Sequence, residues 1–364
     1  YSYLSGDSKE KIESYKNFIS KIKSNYKIKK PHIVDIGGND GSLMGIAKKN
    51  GFNVLNIEPK KIKEISKKNN IKTIKKKNGF NVLNKDLNKI VEISKKNNIK
   101  TFKKKFNLKE AKILSKKKIK FDFVVSTNFF AHTNILKEII NGTKLILNKN
   151  GIIILEIQYL YSVLKKNGFD SFHQDHKYYY SLNSIKNIFK EFDLNIFDAE
   201  FLKNNKEILR VYISQNNRKV SNRFYKIIKS ENDKSIFKKI IKLNKFKKNY
   251  LYRFKKLVNK LVKENKKIFA LSAAPRGCVL LNAANFSKNE IKMVGEVSNS
   301  YKINKYTPGT NIIIKNENKI FKEQPDFVLI LAWHLKKRLT KYLVKNGYKG
   351  KFIIPLPKLK ILNK

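Results

Sequence analysis

The sequence has few residues of several kinds, and each shortage excludes a class of protein. Cys278 is the only cysteine among 364 residues, which excludes an intrachain disulfide and a cysteine-based zinc site. Apolar runs stay short of the roughly 18–20 residues that a membrane-spanning helix needs. Residues 1–8 lack the basic-then-apolar pattern of a secretory signal. These absences predict a chain in a reducing cytoplasm, with no membrane span and no metal site.

Acidic residues are also scarce, because 28 Asp and Glu stand against 81 Lys and Arg, a net charge of +53. Such a field attracts polyanions such as nucleic acid or anionic lipid. Only six of the basic residues are arginines, however, and phosphate recognition favours the arginine fork. The lysines are spread along the chain, and Ile and Asn are abundant with them. The pattern therefore favours compositional bias over a nucleic-acid partner, although a nucleotide-linked substrate would still be attracted.

A glycine-rich segment, residues 34–42, organises the first half of the chain. The apolar run before Gly37 predicts a buried parallel strand, and the pattern after Gly41 predicts a helix. In this arrangement bare backbone N–H groups can approach a ligand. Because Asp35 ends the strand, a cationic ligand suits the turn better than a pyrophosphate. S-adenosylmethionine carries an ammonium group and no phosphate, whereas the alternative is a turn that serves only packing.

Polar residues follow the next predicted strands as well. Residues 52–57 read as a strand that ends in Glu58-Pro59, where a carboxylate can accept the ribose hydroxyls. Residues 121–128 read as another, and ligands of open α/β sheets bind at the carboxyl ends of the strands. The predicted cofactor-binding residues are Asp35, Gly37, Gly38, Asn39, Gly41, Glu58, Pro59, Asn128, Phe129 and His132.

An internal repeat interrupts this pattern between residues 48 and 103. Residues 48–56 recur letter for letter as residues 76–84, and each copy contains one strand and one helix. Two copies are too few for a solenoid, so we interpret the repeat as a duplicated β-α unit. Asp86 occupies the position of Glu58 in the second copy, and we favour Glu58 as the ribose acid because it directly follows the glycine-loop helix.

Residues 169–181 are the most unusual segment. They contain His173 and His176, two of the five histidines, together with acids and three consecutive tyrosines. A dense set of titratable groups is what acid–base chemistry on a polar substrate requires. The alternative is a polar loop in which Ser181 caps the next helix, but capping does not explain the histidines.

The second half of the chain predicts a separate α/β region. Residues 216–262 are lysine-rich with few helix breakers, which predicts a helical connector. A strand at 268–271 is followed by small residues and Arg276 at the start of a helix. Such a junction suits an anion or nucleotide contact, although a purely structural role is equally consistent with it.

Four motifs together resemble the sugar C-methyltransferases that act on nucleotide-linked 4-keto deoxysugars. They are residues 34–41, the run from Asp175-His176 to Tyr179-Tyr180-Ser181, residues 207–212, and residues 274–277 with 307–309. The resemblance covers nearly the whole chain. It implies a class I methyltransferase fold, S-adenosylmethionine as methyl donor, and a C-terminal Rossmann-like domain that binds the nucleotide sugar.

The resemblance also implies roles for individual residues. His176 is the expected general base, paired with the acid Asp175. His173 stands where the family usually has a tyrosine, so any role of that tyrosine would pass to His173 or Tyr179. The substrate-binding residues expected are Tyr3, Gln158, Arg210, Pro275, Arg276, Gly277 and Asn282. We expect the family's N-terminal zinc-binding module to be missing because the sequence begins beyond it.

These observations predict four segments: an N-terminal segment (1–30), a methyltransferase domain (31–215), a helical connector (216–262) and a smaller Rossmann-like α/β domain (263–364). The expected reaction is methyl transfer to the carbon next to the ketone of a nucleotide-linked keto-deoxysugar, through an enolate. Two alternatives stay open: an O-, N- or RNA methyltransferase, and a polyanion-binding protein without catalytic activity. The sequence alone sets neither the sugar nor the oligomeric state.

Overall fold

The computed structural model describes residues 8–57, 101–102, 105–203, 205–231, 236–298 and 300–363. They form two compact units, Tyr1–Ser162 with Asp175–Asp233, and Val163–Gln174 with Lys234–Lys364. Several predicted residues lie outside the described part: Tyr3, Glu58, Pro59, Asp86 and most of the repeat at 48–103.

A seven-stranded sheet forms the centre of the first unit, counted over its described residues. Its strands are β1 (His32–Ile36), β2 (Asn53–Ile57), β3 (Thr101–Phe102), β4 (Phe121–Thr127), β5 (Leu147–Gln158), β6 (Asn195–Leu202) and β7 (Asn205–Ser214). The spatial order is β3-β2-β1-β4-β5-β7-β6. The first five strands are parallel, and β7 runs antiparallel to β5 and β6.

Helices pack on both faces of this sheet, because the apolar run of β1 is buried on both sides. The helices are α1 (Lys9–Tyr26), α2 (Ser42–Lys49), α3 (Leu108–Lys116), α4 (Leu136–Ile146), α5 (Leu160–Lys165), α6 (Leu182–Lys190) and α7 (Asn222–Glu231), with a 3-10 turn at Phe130–His132. Ile33 packs in one core with α1 and α2. Val34 and Ile36 pack in the other with α3, α4, α6 and α7.

Helix α1 has an apolar stripe along one face. Tyr15, Phe18, Ile19 and Ile22 are all buried, and each buried side chain of this size contributes about 1.5–3 kcal/mol. Ser8 caps the helix by accepting the Lys11 N–H at 3.2 Å. Packing of this stripe therefore fixes α1 against the sheet despite its many lysines.

A second, six-stranded sheet forms the centre of the second unit, again counted over described residues. Its strands are β8 (Ile268–Leu271), β9 (Val294–Glu296), β10 (Ile314–Asn316), β11 (Phe327–Ile330), β12 (Lys351–Ile354) and β13 (Lys360–Leu362). The order is β10-β9-β8-β11-β12-β13, and only β13 pairs antiparallel within this described sheet. The predicted fold class, a Rossmann-like domain followed by a smaller α/β domain, is confirmed.

The helices of the second unit include most of the predicted connector. They are α8 (Ile236–Lys263), α9 (Pro275–Ala283), α10 (Asn318–Glu323) and α11 (Lys336–Lys345), with 3-10 turns at Phe169–Ser171 and Trp333–Leu335. Tyr250 and Phe254 anchor α8, and the Tyr250 hydroxyl donates to the Pro355 carbonyl at 2.8 Å. Among the helices that the structure describes, none is long and apolar enough to cross a membrane.

A buried ion-pair network connects α1 to the strands of the first sheet. The Glu156 carboxylate of β5 lies 3.0 Å from Lys11 Nζ and 2.7 Å from Arg210 Nη2. The Arg210 guanidinium lies over the Phe18 ring, 4.1 Å from its centroid, and 3.6 Å from Glu200 Oε1. The network therefore combines α1, β5, β6 and β7 in one electrostatic unit.

The charge of Glu156 depends on this network. Burial alone would raise the pKa of its carboxyl, but Lys11 and Arg210 outweigh that effect and lower the pKa from 4.5 to about 2. Since the folded-state pKa lies below the unfolded value, the ionised group stabilises the fold above about pH 4.5. That contribution is lost as the pH falls toward 2. A difference of about 2.5 pKa units corresponds to roughly 3 kcal/mol.

We predict that Glu156→Gln lowers the free energy of unfolding at pH 7 by about 3–5 kcal/mol, because it leaves buried cations uncompensated. Urea denaturation followed by circular dichroism measures this loss. The difference from the wild type should shrink by roughly 2 kcal/mol between pH 7 and pH 3. Glu138→Gln, at an exposed position of α4, is the control and should change stability by no more than about 0.5 kcal/mol. A pH-independent loss in Glu156→Gln would contradict the electrostatic origin.

Candidate active site

The turn after β1 requires glycine at two of its positions. Gly37 and Gly41 both have φ of 75°, in the left-handed region where side chains are strained. The Gly37 N–H donates to the Ile57 carbonyl at 3.0 Å, and the Gly41 N–H donates to the Gly38 carbonyl at 3.0 Å. Helix α2 then begins at Ser42. The predicted strand, glycine turn and helix are therefore present as expected.

Gly38 is required by close approach rather than by its φ angle. A Cβ atom at this position would lie 1.9 Å from Asn56 Oδ1 and 2.9 Å from Asp35 Cγ. Asp35 and Asn56 are opposite each other in the β1–β2 pairing, and both are almost fully buried. The backbone of the turn thus lies directly on a carboxylate and an amide.

The end of β4 meets the same turn. Ser126 Oγ donates to the Ile36 carbonyl at 3.1 Å, and the Asn128 N–H donates to the Glu156 carbonyl at 2.9 Å. A Cβ on Gly37 would lie 2.7 Å from Cδ2 of Phe129. The carboxyl ends of β1, β4 and β5 therefore lie together, and Phe129 packs directly against the glycine turn.

Two imidazoles lie next to each other beyond Phe129. The ring centroids of His132 and His176 are 4.8 Å apart, and that of Tyr179 is 5.7 Å from His176. His132 Nδ1 lies 2.6 Å from the Asp175 carbonyl oxygen. A carbonyl only accepts, so His132 Nδ1 carries the proton. His176 Nδ1 lies 2.8 Å from Gln158 Oε1.

Residues 175–181 are held in this place by hydrogen bonds to the 3-10 turn after β4 and to the first residue of α5. The Lys177 N–H donates to the Ala131 carbonyl at 2.8 Å, and the Leu160 N–H donates to the Tyr180 carbonyl at 2.9 Å. The Tyr180 hydroxyl donates to the Phe130 carbonyl at 3.1 Å. Burial raises the pKa of Tyr180, so the phenol stays protonated and remains a donor. These bonds place His176 over the ends of β4 and β5.

Helix α6 begins directly after this segment and is capped twice. Ser181 and Ser184 form a capping box, as the sequence predicted for Ser181. The Glu231 carboxylate of α7 also accepts the N–H groups of Leu182 and Asn183, at 2.6 and 2.8 Å. A carboxylate at a helix N-terminus is favoured by the helix dipole as well.

A separate cluster in the second unit contains other predicted residues. The Arg276 guanidinium donates twice to the buried Asp170 carboxylate, both at 2.9 Å, and stacks on Trp333, 4.7 Å from the ring centroid. Trp333 Nε1–H donates to the same carboxylate at 2.8 Å. Pro275 occupies the first turn of α9, and a Cβ on Gly277 would lie 2.7 Å from Leu331.

Asn282 has a structural partner in the same unit. Its Nδ2 donates to the carbonyls of Cys278 and Pro308, both at 2.8 Å. Gly309, with φ of 79°, leaves the space that Asn282 Oδ1 occupies. The two predicted motifs around Arg276 and Gly309 are therefore joined by one amide. Substrate binding by these residues stays a prediction.

Comparison with known families assigns the chain. Residues 8–199, more than half of its length, match the family model described as a methyltransferase domain. The chain belongs to this methyltransferase family. Residues 208–357 match a second model, described as the C-methyltransferase C-terminal domain. Together the two matches confirm the resemblance to the sugar C-methyltransferases that the four sequence motifs indicated.

Individual relatives of this methyltransferase are distant. C-methyltransferase NovU of Streptomyces niveus is 24% identical over 241 residues, which are 64% of this chain and 57% of NovU. The match thus spans little more than half of that relative.

Solved structures are similar to little more than half of this chain. A S-adenosylmethionine-dependent methyltransferase from Clostridium acetobutylicum is 12% identical, with a TM-score of 0.41 over 57% of this chain and 92% of that chain. PH0226 from Pyrococcus horikoshii is 13% identical, with a TM-score of 0.42 over 58% and 94%. With such scores, the class I assignment of this methyltransferase rests on the family match and the observed strand order.

The glycine turn of this methyltransferase fits S-adenosylmethionine, the cofactor of the family. The buried Asp35 carboxylate at the end of β1 would repel a phosphate and attract a cation. Gly37, Gly38 and Gly41 have no side chains, so the backbone of the turn is bare at these three positions. Phe129 lies against this turn. The predicted cofactor residues that the structure describes are therefore brought together.

Three further predicted site residues of the methyltransferase have the following surroundings in the structure. Arg210 is buried in the network with Glu156 and Glu200. His173 lies in the segment assigned to the second unit. Asp175 has an exposed side chain, and only its backbone carbonyl is engaged by His132 in the contacts described.

Asn56 is a candidate that the sequence reasoning missed. It supports the glycine turn from β2, where it is fully buried. The sequence signal that could have identified Asn56 is a polar residue between the apolar residues at the end of a predicted strand.

We predict that Gly38→Ala abolishes S-adenosylmethionine binding, because the new methyl group would displace Asn56 or Asp35 and reshape the turn. Isothermal titration calorimetry with the cofactor measures the loss. Gly45→Ala is the matched control in the adjacent helix, since nothing lies within 4 Å of its added Cβ. It should bind normally and gain about 0.5–1 kcal/mol of stability. Wild-type affinity in Gly38→Ala would disprove the close packing.

A second prediction concerns Asp170 and Arg276. Asp170→Asn should lower the free energy of unfolding by about 1.5–3 kcal/mol, the range for hydrogen bonds to charged groups. Arg276→Lys should destabilise similarly, because lysine keeps the charge but loses the fork and the stacking. Thermal denaturation measures both. The control is Glu264→Gln, whose exposed side chain pairs with Lys260 at 3.8 Å, and it should lose less than about 0.5 kcal/mol. Full stability of Arg276→Lys would show that charge alone matters there.

Proposed function

We propose that this chain is a S-adenosylmethionine-dependent C-methyltransferase whose acceptor is the carbon next to the ketone of a nucleotide-linked keto-deoxysugar. The observation that carries the proposal is the position of His176. Its imidazole lies beside His132 and Gln158, at the same carboxyl edge as the glycine turn. A base and a cofactor turn at one edge are what base-assisted methyl transfer needs.

The acceptor carbon must lose a proton before it becomes a nucleophile. A hydrogen next to a ketone is acidic enough for a positioned base, and imidazole titrates near neutral pH. His176 removes this proton, and the electron pair moves toward the ketone oxygen to give an enolate. A positioned base contributes about 10²–10⁴-fold to the rate.

The enolate oxygen requires a hydrogen-bond donor close to it. Tyr179 lies 5.7 Å from His176 between ring centroids, and Asn128 ends β4 at the same edge. Both are candidates, whereas His173 is assigned to the second unit. His132 is not a candidate in its neutral form, because its Nδ1 proton is already donated to the Asp175 carbonyl and Nε2 then has only a lone pair.

The bound cofactor supplies the methyl group, as a sulfonium methyl that is open to attack by a carbanion. Asp35 and the backbone of residues 37–41 would hold it, with Phe129 against the turn. Once His176 has taken the proton, the acceptor carbon would take the methyl group as the sulfur–methyl bond breaks, and S-adenosylhomocysteine would be the second product. His176 then holds the proton until product release, and solvent removes it.

The match of residues 208–357 to the C-methyltransferase C-terminal domain supports carbon as the acceptor atom. The relative NovU, which is named a C-methyltransferase, supports it as well. A nucleotide-linked acceptor is supported by the net charge of +53, which attracts phosphates without specificity. We place the reaction in the cytoplasm, since the single cysteine rules out a dependence on intrachain disulfides.

We predict that His176→Ala lowers kcat by at least about 10²-fold while S-adenosylmethionine affinity stays within twofold of the wild type. Turnover is measured by mass spectrometry of methyl gain on a panel of keto sugar nucleotides, and affinity by calorimetry. His32→Ala is the matched control, because His32 is exposed at the opposite, amino-terminal end of β1. Wild-type kcat in His176→Ala would remove the base assignment. Methylation of hydroxyl groups or RNA, with none on carbon, would overturn the proposed function itself.

A further inference from the structure

We propose that Gln158 is a positioning residue that holds His176 in the tautomer needed for proton abstraction. The inference deepens the proposed function and rests on it for the identity of the base. Gln158 was expected to bind substrate, but its Oε1 lies 2.8 Å from His176 Nδ1. The contact joins residues 18 positions apart in the chain.

Gln158 stands on a rigid part of the sheet. It is the last residue of β5, and its Cα pairs with Ile208 of β7 in an antiparallel register. The next residue, Tyr159, donates its N–H to the Glu207 carbonyl at 2.8 Å. Because the backbone pairing with β7 continues before and after Gln158, the side-chain amide is attached to a fixed backbone position. A positioning group on a strand is held more accurately than one on a loop.

The amide determines which nitrogen of the ring carries the proton. Oε1 only accepts a hydrogen bond, so Nδ1 must carry the proton. In the neutral ring Nε2 then has the lone pair that can take a proton from carbon. Without the hydrogen bond to Gln158, the His176 ring would exchange between its two tautomers. In part of the protein molecules Nε2 would then carry the proton and could not act as a base.

Gln158 is also neutral, and this distinguishes it from the acid that commonly orients a histidine. A carboxylate at the same place would stabilise the imidazolium and keep the base protonated to higher pH. The titratable side chains described around His176 are His132 on the 3-10 turn and Asp175 and Tyr179 on its own segment. Glu156, two residues before Gln158, is already paired with Lys11 and Arg210.

His132 shows that the two rings are oriented independently. Its Nδ1–H is donated to the Asp175 carbonyl, whereas His176 Nδ1 is directed at Gln158. The rings are 4.8 Å apart and steeply inclined, at 68°. Each ring therefore has its own acceptor, and a change at Gln158 should affect His176 while leaving the tautomer of His132 unchanged.

The first experiment reads the tautomer directly and needs no substrate. The full chain is labelled with ¹⁵N-histidine, and long-range ¹H–¹⁵N correlation spectra report which ring nitrogen is protonated; His176→Ala assigns the signal. We expect the Nδ1–H form of His176 in the wild type. In Gln158→Met the signal should move toward the Nε2–H form. Gln215→Met, beyond the end of β7 at the opposite edge of the sheet, should leave it unchanged.

The second experiment reads the consequence for catalysis. Proton abstraction is followed as deuterium uptake from D₂O at the acceptor carbon, with S-adenosylhomocysteine present in place of the methyl donor. Gln158→Met should slow uptake by about 10²-fold. Gln158→Glu keeps an acceptor, so it should restore most of the rate at high pH. It should also move the acidic limb of the pH–rate profile upward by about one unit or more.

The outcomes separate the inference from the function on which it rests. An Nε2–H form in the wild type, or an unchanged His176 signal in folded Gln158→Met, overturns the positioning role whatever the enzyme methylates. An identical acidic limb in Gln158→Glu and the wild type does so as well. If the tautomer responds as expected but the wild type neither exchanges nor methylates any keto sugar nucleotide, the proposed function fails instead.

Discussion

The close packing beneath the glycine turn after β1 is the constraint on which the rest of the site depends. Asp35 and Asn56 fill the space there so completely that Gly38 has no room for a methyl group. Gly37 has no side chain, so Phe129 can cover the turn there. The 3-10 turn that follows Phe129 carries His132 to its place beside His176. The position of the histidine pair thus follows from close packing two elements away.

The local sequence pattern was sufficient to predict several helices and strands and part of the site. The stripe of α1, the strand before Gly37, and the cap at Ser181 were predictable because each depends on residues within one or two turns of each other. Pairs formed across the sheet were not predictable. Glu156 faces Arg210 through the β5–β7 register, and Gln158 meets His176 through the path of a loop; spacing along the chain encodes neither.

Four acidic side chains of this basic chain form ion pairs with arginines. Arg210, Arg223 and Arg276 are three of the six arginines, and their forks are engaged by Glu156, Glu200, Asp198 and Asp170. A planar fork loses less freedom per hydrogen bond than a lysine ammonium, which suits buried positions. Arg210 and Arg276 therefore engage buried carboxylates, whereas the numerous lysines are mostly solvated and set the long-range field.

Glu231 has a consequence for where this chain can be divided. It lies on the last described turn of α7, yet it caps the helix that follows the His176 segment. A fragment that stopped at residue 199, where the family match ends, would lack that cap. It would also lack β7, the strand that joins β6 to β5. Recombination between related enzymes would therefore preserve the histidine segment only at a crossover point beyond residue 231.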